Sequence, residues 1–172
     1  MKLPSLEQID SIRKAGFRPG VVACFLHNKK ILFLFKEKYG LWQLPQGGID
    51  NQETIEQAII REMNEELGSD FTASLKINSL VGDNQVSFPT HNKNSRELKT
   101  DAGDDISMEG KKYFFIAIDI NITDLNISKT EFDDYKWLDY EGATELARMI
   151  YQQGKQRVTL DALNKLHVFD LL

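Results

Sequence analysis

The chain has one cysteine among 172 residues, no excess of positive charge and no long apolar run. Each absence excludes something. With Cys24 alone, no disulfide can form within the chain, and its place in the apolar run Val21-Val22-Ala23-Cys24-Phe25-Leu26 reads as a buried core residue rather than a nucleophile. The 21 basic residues are outnumbered by 26 acidic ones, so the net charge of −5 supplies no global field for holding a long nucleic-acid duplex. Any nucleic acid must be held locally, for example by its end. Met1-Lys2-Leu3-Pro4-Ser5-Leu6-Glu7 lacks the apolar core of a signal peptide, and no stretch approaches the roughly 20 apolar residues of a membrane span. A soluble cytoplasmic protein that does not use the membrane is expected. Internal repeats and low-complexity tails are also lacking, and the length suits one domain over 1–172 with a sizeable core.

What is present divides by period. Residues 21–26 and 31–35 are rich in β-branched and aromatic side chains, with a polar turn, His27-Asn28-Lys29-Lys30, between them, which predicts a hairpin. After Gly47-Gly48 the period lengthens: Ile55, Ile59, Met63 and Leu67 recur every fourth residue. Thr54 with Gln57 forms a capping box and Gly68 a stop, so a helix is predicted over 55–67. Further strands are expected at 76–81, 113–118 and 135–138. Two C-terminal helices around Gly154 are expected from Leu146, Met149 and Ile150, then Val158, Leu160, Leu163 and Leu166. The polar stretch 84–110 shows no period and reads as a loop insertion bordering the site. Strands grouped as meanders favour an α+β fold with a mixed sheet.

The predicted helix carries the chemistry on the side away from its apolar stripe. Glu62 neighbours both Glu65 and Glu66, three carboxylates on one patch, and Arg61 can pair with Glu65 one turn on. An acidic helix face is ordinarily just solvated. A hard divalent cation such as Mg²⁺ would relieve the repulsion and leave water positions for substrate phosphates.

The surroundings decide between these readings. Gly47, Glu53, Arg61, Glu62, Met63, Glu65, Glu66 and Gly68 fit G-x5-E-x7-R-E-U-x-E-E-x-G-U, U being aliphatic, and only Ser69 at the last position departs. This pattern, at 47–69, resembles the Nudix box. The resemblance implies an α/β/α sandwich around a central mixed β-sheet, with a catalytic loop-helix motif and C-terminal helices. It implies hydrolysis of a pyrophosphate linkage in a nucleotide-type substrate, with Mg²⁺, or Mn²⁺ in its place, held by Glu62, Glu65, Glu66 and the carbonyl of Gly47. Glu53 and Arg61 then serve as orienting residues.

The likeness extends beyond the box. Gly16-Phe17-Arg18-Pro19, Leu41-Trp42-Gln43-Leu44-Pro45-Gln46-Gly47-Gly48-Ile49, Lys112-Tyr113-Phe114 and Thr130-Glu131-Phe132-Asp133-Asp134-Tyr135-Lys136-Trp137 resemble the branch of bacterial RNA pyrophosphohydrolases and diadenosine tetraphosphate hydrolases. By that resemblance Glu131 is a further carboxylate, as ligand or general base, and Arg18, Lys36, Phe88 and Lys155 contact substrate. The expected partner is a nucleotide or an RNA 5′ triphosphate end, or a dinucleoside polyphosphate. Two departures keep the substrate open. Gly154-Lys155-Gln156 lacks the aromatic residue that stacks on a base there, and Asp101, Asp104, Asp105 and Glu109 would repel a polyanion unless they face away. Rival readings are a Nudix pyrophosphatase for another nucleoside diphosphate derivative, a catalytically silent nucleotide-binding module, and an isomerase on the same fold, the last disfavoured by the apolar setting of Cys24.

Overall fold

In the computed structural model, which describes residues 1–73, 75–89, 97–121 and 123–172, the chain opens with α1 (Leu6–Lys14), β1 (Phe17–His27), β2 (Lys30–Lys36), β3 (Leu41–Gln43) and β4 (Gln46–Gly48). Next come α2 (Ile55–Leu67), α3 (Ser69–Thr72), β5 (Lys76–Ser87), β6 (Glu97–Lys99), β7 (Asp105–Ser107), β8 (Gly110–Asp119), β9 (Asp134–Leu138), α4 (Tyr140–Arg148) and α5 (Gln153–Val168).

Alternation along the strands sorts the core into two layers. Val21, Ala23, Phe25, Leu32, Leu34, Phe114, Ile116 and Ile118 pack with Ile55, Ala58, Ile59, Met63 and Leu67 of α2. Their neighbours Val22, Cys24, Leu26, Ile31, Phe33, Phe115 and Ala117 pack on the other face with Ala143, Ala147, Val158, Ala162, Leu163 and Leu166 of α4 and α5. Strands covered on both faces read as unbroken apolar runs, which is why 21–26 and 113–118 stand out in the sequence. Each large apolar side chain so buried contributes about 1.5–3 kcal/mol. The result is the expected mixed-sheet sandwich: order β3-β2-β1-β8-β5, with β1 and β8 parallel and their other neighbours antiparallel.

One departure from a simple sheet makes room for a site. Asn28 and Lys29 both adopt left-handed backbone, the primed turn that suits a two-residue hairpin. Yet β1 and β2 pair only beside that turn, at Leu26↔Ile31 and His27↔Lys30. Beyond it they separate. β1 takes β4 as its partner from Gly20 to Val22, while β2 takes β9 and β3. The sheet therefore forks, and Leu44-Pro45 carries the chain across the gap.

Several expectations are corrected. The stretch 84–110 is not one loop: β5 runs through Asn84 to Ser87, in register with β8 as far as Gly110, and β6 pairs with β7 in a small hairpin. Polar Asp83, Asn84 and Gln85 conceal an edge strand, where exposed charge is tolerated, and Asp83 pairs with Lys112 across it. Residues 90–96 of the expected loop lie outside the described residues. The C-terminal helices break at 149–152 rather than at Gly154, which lies in the first turn of α5, and Met149 is exposed rather than packed. Helix α1 follows a Ser5/Gln8 capping box and buries Ile9 and Arg13. Ser69, where the box pattern has an aliphatic residue, is exposed, and the anchor comes two residues later from Phe71, edge-on to Phe25 with centroids 5.3 Å apart.

No helix among the described residues is long and apolar enough to cross a membrane. Cys24 is wholly buried, and burial pushes its thiol up to about 12, so it stays neutral far above physiological pH. Native protein at pH 8 should therefore resist Ellman's reagent while protein unfolded in guanidinium reacts at once; rapid labelling of the native form would refute the packing of β1.

Candidate active site

The short strand β4 lies against β1 with Gly47 opposite Val21. Helix α2 returns over it so closely that a Cβ on Gly47 would sit 2.1 Å from the carboxyl carbon of Glu62. Any side chain there would have to displace that carboxylate. Glu62 Oε1 accepts from the Gly48 amide (3.0 Å) and from Arg61 Nη1 (2.8 Å). Arg61 is the hub of this segment. Its Nε and Nη2 meet both carboxylate oxygens of Glu53 at 2.8 and 2.7 Å, and Nη2 also donates to the Gly48 carbonyl at 2.9 Å. Arg61 thus pairs with Glu53 and Glu62 and not with Glu65, the expected partner. The two-pronged grip on Glu53 matches the planar fork of guanidinium, which a single helical turn to Glu65 would not use. Bonds from Glu53 and then Glu62 hold Arg61 firmly charged. Burial raises the Glu53 carboxyl, but bonds from Arg61 and the Asp50 amide outweigh it and leave it below its ordinary value.

Glu66 lies one turn beyond Glu62, in the mouth of the fork. It lines a cleft with Lys36, Tyr39, Gln43, Gln46, Glu131 and Lys155. Its Oε2 is buried and finds no hydrogen-bond partner among the described residues. Burial first, then the charges of Glu62 and Glu131, push this carboxyl up to about 8, against a hydrogen bond from the Gln46 backbone and the charge of Lys36. Glu131 reaches the same cleft from the segment before β9. Its amide donates to the Glu66 carbonyl (3.1 Å), one of the carbonyls left open at the end of α2. Its carboxylate, 62% exposed, faces Lys36 Nζ at 3.3 Å. Lys155 enters from α5 and donates to Gln43 Oε1 at 2.6 Å; burial, then the charge of Lys111, lower its pKa. Glu65 is exposed. Among the described residues no three acidic, histidine or cysteine side chains stand close enough to hold a metal ion between them.

A second cleft shares Gln46 with the first and is lined by Gly47, Gly48, Arg18, Lys111 and Tyr113. The parallel register of β1 and β8, Arg18 beside Lys111 and Gly20 beside Tyr113, places all three there. The structure therefore brings Gly47, Glu62, Glu66, Glu131, Arg18, Lys36 and Lys155 around two neighbouring clefts, with Glu53 and Arg61 behind them. Phe88 is elsewhere, in a separate hollow with Gln153, Gly154 and Arg157. Gln43, Gln46, Lys111 and Tyr113 were not singled out in the sequence. For Lys111 and Tyr113 the signal was available, because they share the strand parity of Phe115 and Ala117. The acidic stretch 101–109 does not face these clefts as a bare cluster: Asp101 accepts from Arg13, Asp104 from Thr100, and Asp105 pairs with Lys99 at 2.5 Å.

The profile of the NUDIX domain matches residues 16–159. The RNA pyrophosphohydrolase of Pseudoalteromonas translucida is 30% identical over 135 residues, 73% of this chain and 72% of that protein. That of Nitratiruptor sp. is 30% identical over 138 residues, 76% of this chain and 83% of the relative. Among solved structures, the E. coli dihydroneopterin triphosphate pyrophosphohydrolase superposes with a TM-score of 0.59 at 18% identity, covering 84% of this chain and 95% of that one. A C. elegans Ap4A hydrolase in a binary complex superposes with a TM-score of 0.51 at 19% identity, covering 88% and 96%. With the family profile spanning most of its length and the box folded as loop and helix over β4, the chain belongs to the Nudix family of hydrolases.

Proposed function

We propose that the chain hydrolyses a phosphoric anhydride of a nucleotide, with the 5′ triphosphate end of RNA as the leading substrate, and that Glu62, Glu65, Glu66, Glu131 and the Gly47 carbonyl hold Mg²⁺, or Mn²⁺ in its place. The observation that carries this reading is Glu66: a buried carboxylate with an unpartnered oxygen, in a cleft with Glu131 and two lysines and within reach of the charge of Glu62. An all-oxygen acidic donor set of this kind suits a hard divalent cation. Such an ion, when bound, neutralises phosphate charge and polarises the bond to be cut. The rest falls to the chain's own residues. Lys36 and Lys155 in the first cleft, and Arg18 with Lys111 in the one that shares Gln46 with it, bind and align the phosphates. Arg61 and the Gly48 amide occupy Glu62 Oε1 and leave Oε2 for the ligand. A carboxylate of the cleft, Glu66 or Glu131, takes the proton of the attacking water.

The RNA end is favoured by the curated relatives' names and by the cleft's rim. Tyr39 lines the cleft and is half exposed, and Tyr151, 63% exposed, donates its hydroxyl to the Tyr39 carbonyl at 3.1 Å. These rings offer a stacking surface for a base that Gly154 cannot provide. A dinucleoside polyphosphate is the second reading, since its added base and phosphates would use both clefts.

Glu66→Gln should lower kcat at least 100-fold at saturating Mg²⁺ with an unchanged circular dichroism spectrum; retained activity would remove Glu66 from the site. Triphosphorylated RNA should exceed diadenosine tetraphosphate at least tenfold in kcat/KM, about 1.4 kcal/mol of transition-state binding. The reverse preference would assign the dinucleotide, and no turnover of either, with Mg²⁺ or Mn²⁺, would make the chain a silent binding module. Stacking on one aromatic ring is worth about 1–3 kcal/mol. Tyr39→Ala should accordingly raise KM for the RNA roughly 5- to 100-fold with kcat nearly unchanged, and an unaltered KM would take the base off this rim.

A further inference from the structure

Arg13 is a charged side chain with only 2% exposure, carried on a helix that precedes the segment matched by the family profile. A buried charge persists only where it is paired and hydrogen-bonded. Arg13 Nη2 donates to the carbonyls of Ile49 (3.0 Å) and Asp50 (2.7 Å), and Nη1 to Asp101 Oδ1 (3.1 Å). The same Asp101 oxygen accepts from Asn51 Nδ2 (2.9 Å) and from the Gln52 amide (3.1 Å). Gln52 has φ 59°, a left-handed backbone that costs a non-glycine residue about 1–2 kcal/mol and needs holding in place. Asp101 is itself fixed, its amide donating to Asp10 Oδ1 at 2.7 Å. Helix α1 and the turn between β6 and β7 thus grip residues 49–52 from two sides.

What they grip leads directly to the candidate ligands. The Asp50 amide donates to Glu53 Oε2 (2.8 Å), Glu53 binds Arg61 through both oxygens, and Arg61 binds Glu62 Oε1 and the Gly48 carbonyl. We infer that Arg13, with Asp101, is a positioning residue for the metal site: it sets the loop from which Glu53 and Arg61 aim Glu62 at Gly47. This rests on the ligand assignment above. A helix outside the box, and an acidic residue of a segment that reads as repelling substrate, thereby become parts of the same device.

The test is Mn²⁺ binding, read as the loss of the free-ion electron paramagnetic resonance signal, in the full chain without substrate. Removing groups that orient metal ligands directly costs about 10- to 100-fold in metal affinity; one step further out, Arg13→Met should weaken Mn²⁺ about 3- to 10-fold. Asp101→Asn, a milder change, should act in the same direction if Arg13→Met proves too unstable. Leu163→Ala, in the opposite layer, should lower Tm comparably and leave Mn²⁺ affinity unchanged. Arg13→Lys, which cannot reach two carbonyls and a carboxylate at once, should recover Tm more than it recovers affinity. Parent-like Mn²⁺ affinity in both Arg13→Met and Asp101→Asn would overturn the positioning role and leave a purely structural one. Glu62→Gln in the same titration keeps the two ideas apart: if it binds Mn²⁺ like the parent, the ligand assignment itself falls, and the positioning role with it.

Discussion

The guanidinium of Arg61 is the group on which the rest of the site depends. Its donors reach a carboxylate from the loop, a carboxylate from its own helix and a carbonyl from β4, so one planar group sets three segments against one another. Lysine could not replace it, because a point charge has no fixed directions in which to hold partners. The arrangement also explains the crowding at Gly47. The carboxylate tied at Oε1 from two sides lies over the backbone beneath it, in the space that a side chain at Gly47 would take.

The fork between β1 and β2 supplies the space. A sheet paired along its full length would fill the region with ladder hydrogen bonds. Here β1 and β2 part after two pairs of residues beyond the turn, each finds another partner, and the gap is bordered by the ends of β2, β3 and β4. Cationic side chains from β2 and α5 and the carboxylates of α2 project into a place that the main chain has vacated. Core and site are therefore separable: both layers are closed by strand parity and helix faces, and neither uses the charged residues of the clefts.

That separation governs what could be read from the sequence. The two long apolar strands, the hairpin, α2 with both its caps and the box itself were legible, because each rests on local periodicity or fixed spacing. The pairing of Arg61 was not, since helical spacing offers Glu65 and only the folded loop brings Glu53 nearer. The edge strand β5 was hidden by polar residues that an edge accepts; strand parity gave the face of Lys111 and Tyr113, but not the parallel register that sets them beside Arg18 and Gly20. The acidic residue Asp101 was legible as charge, but its partners come from α1 and the box loop, distant in sequence.

The hydrogen bond from the Glu131 amide to the Glu66 carbonyl gives the two carboxylates of the cleft a common frame. Their side chains spring from backbone atoms that are joined directly, through a carbonyl that the helix end would otherwise leave to solvent. A cleft assembled from residues far apart in the chain is thus tied, at its centre, by a main-chain bond of the kind that joins neighbours within a single short segment.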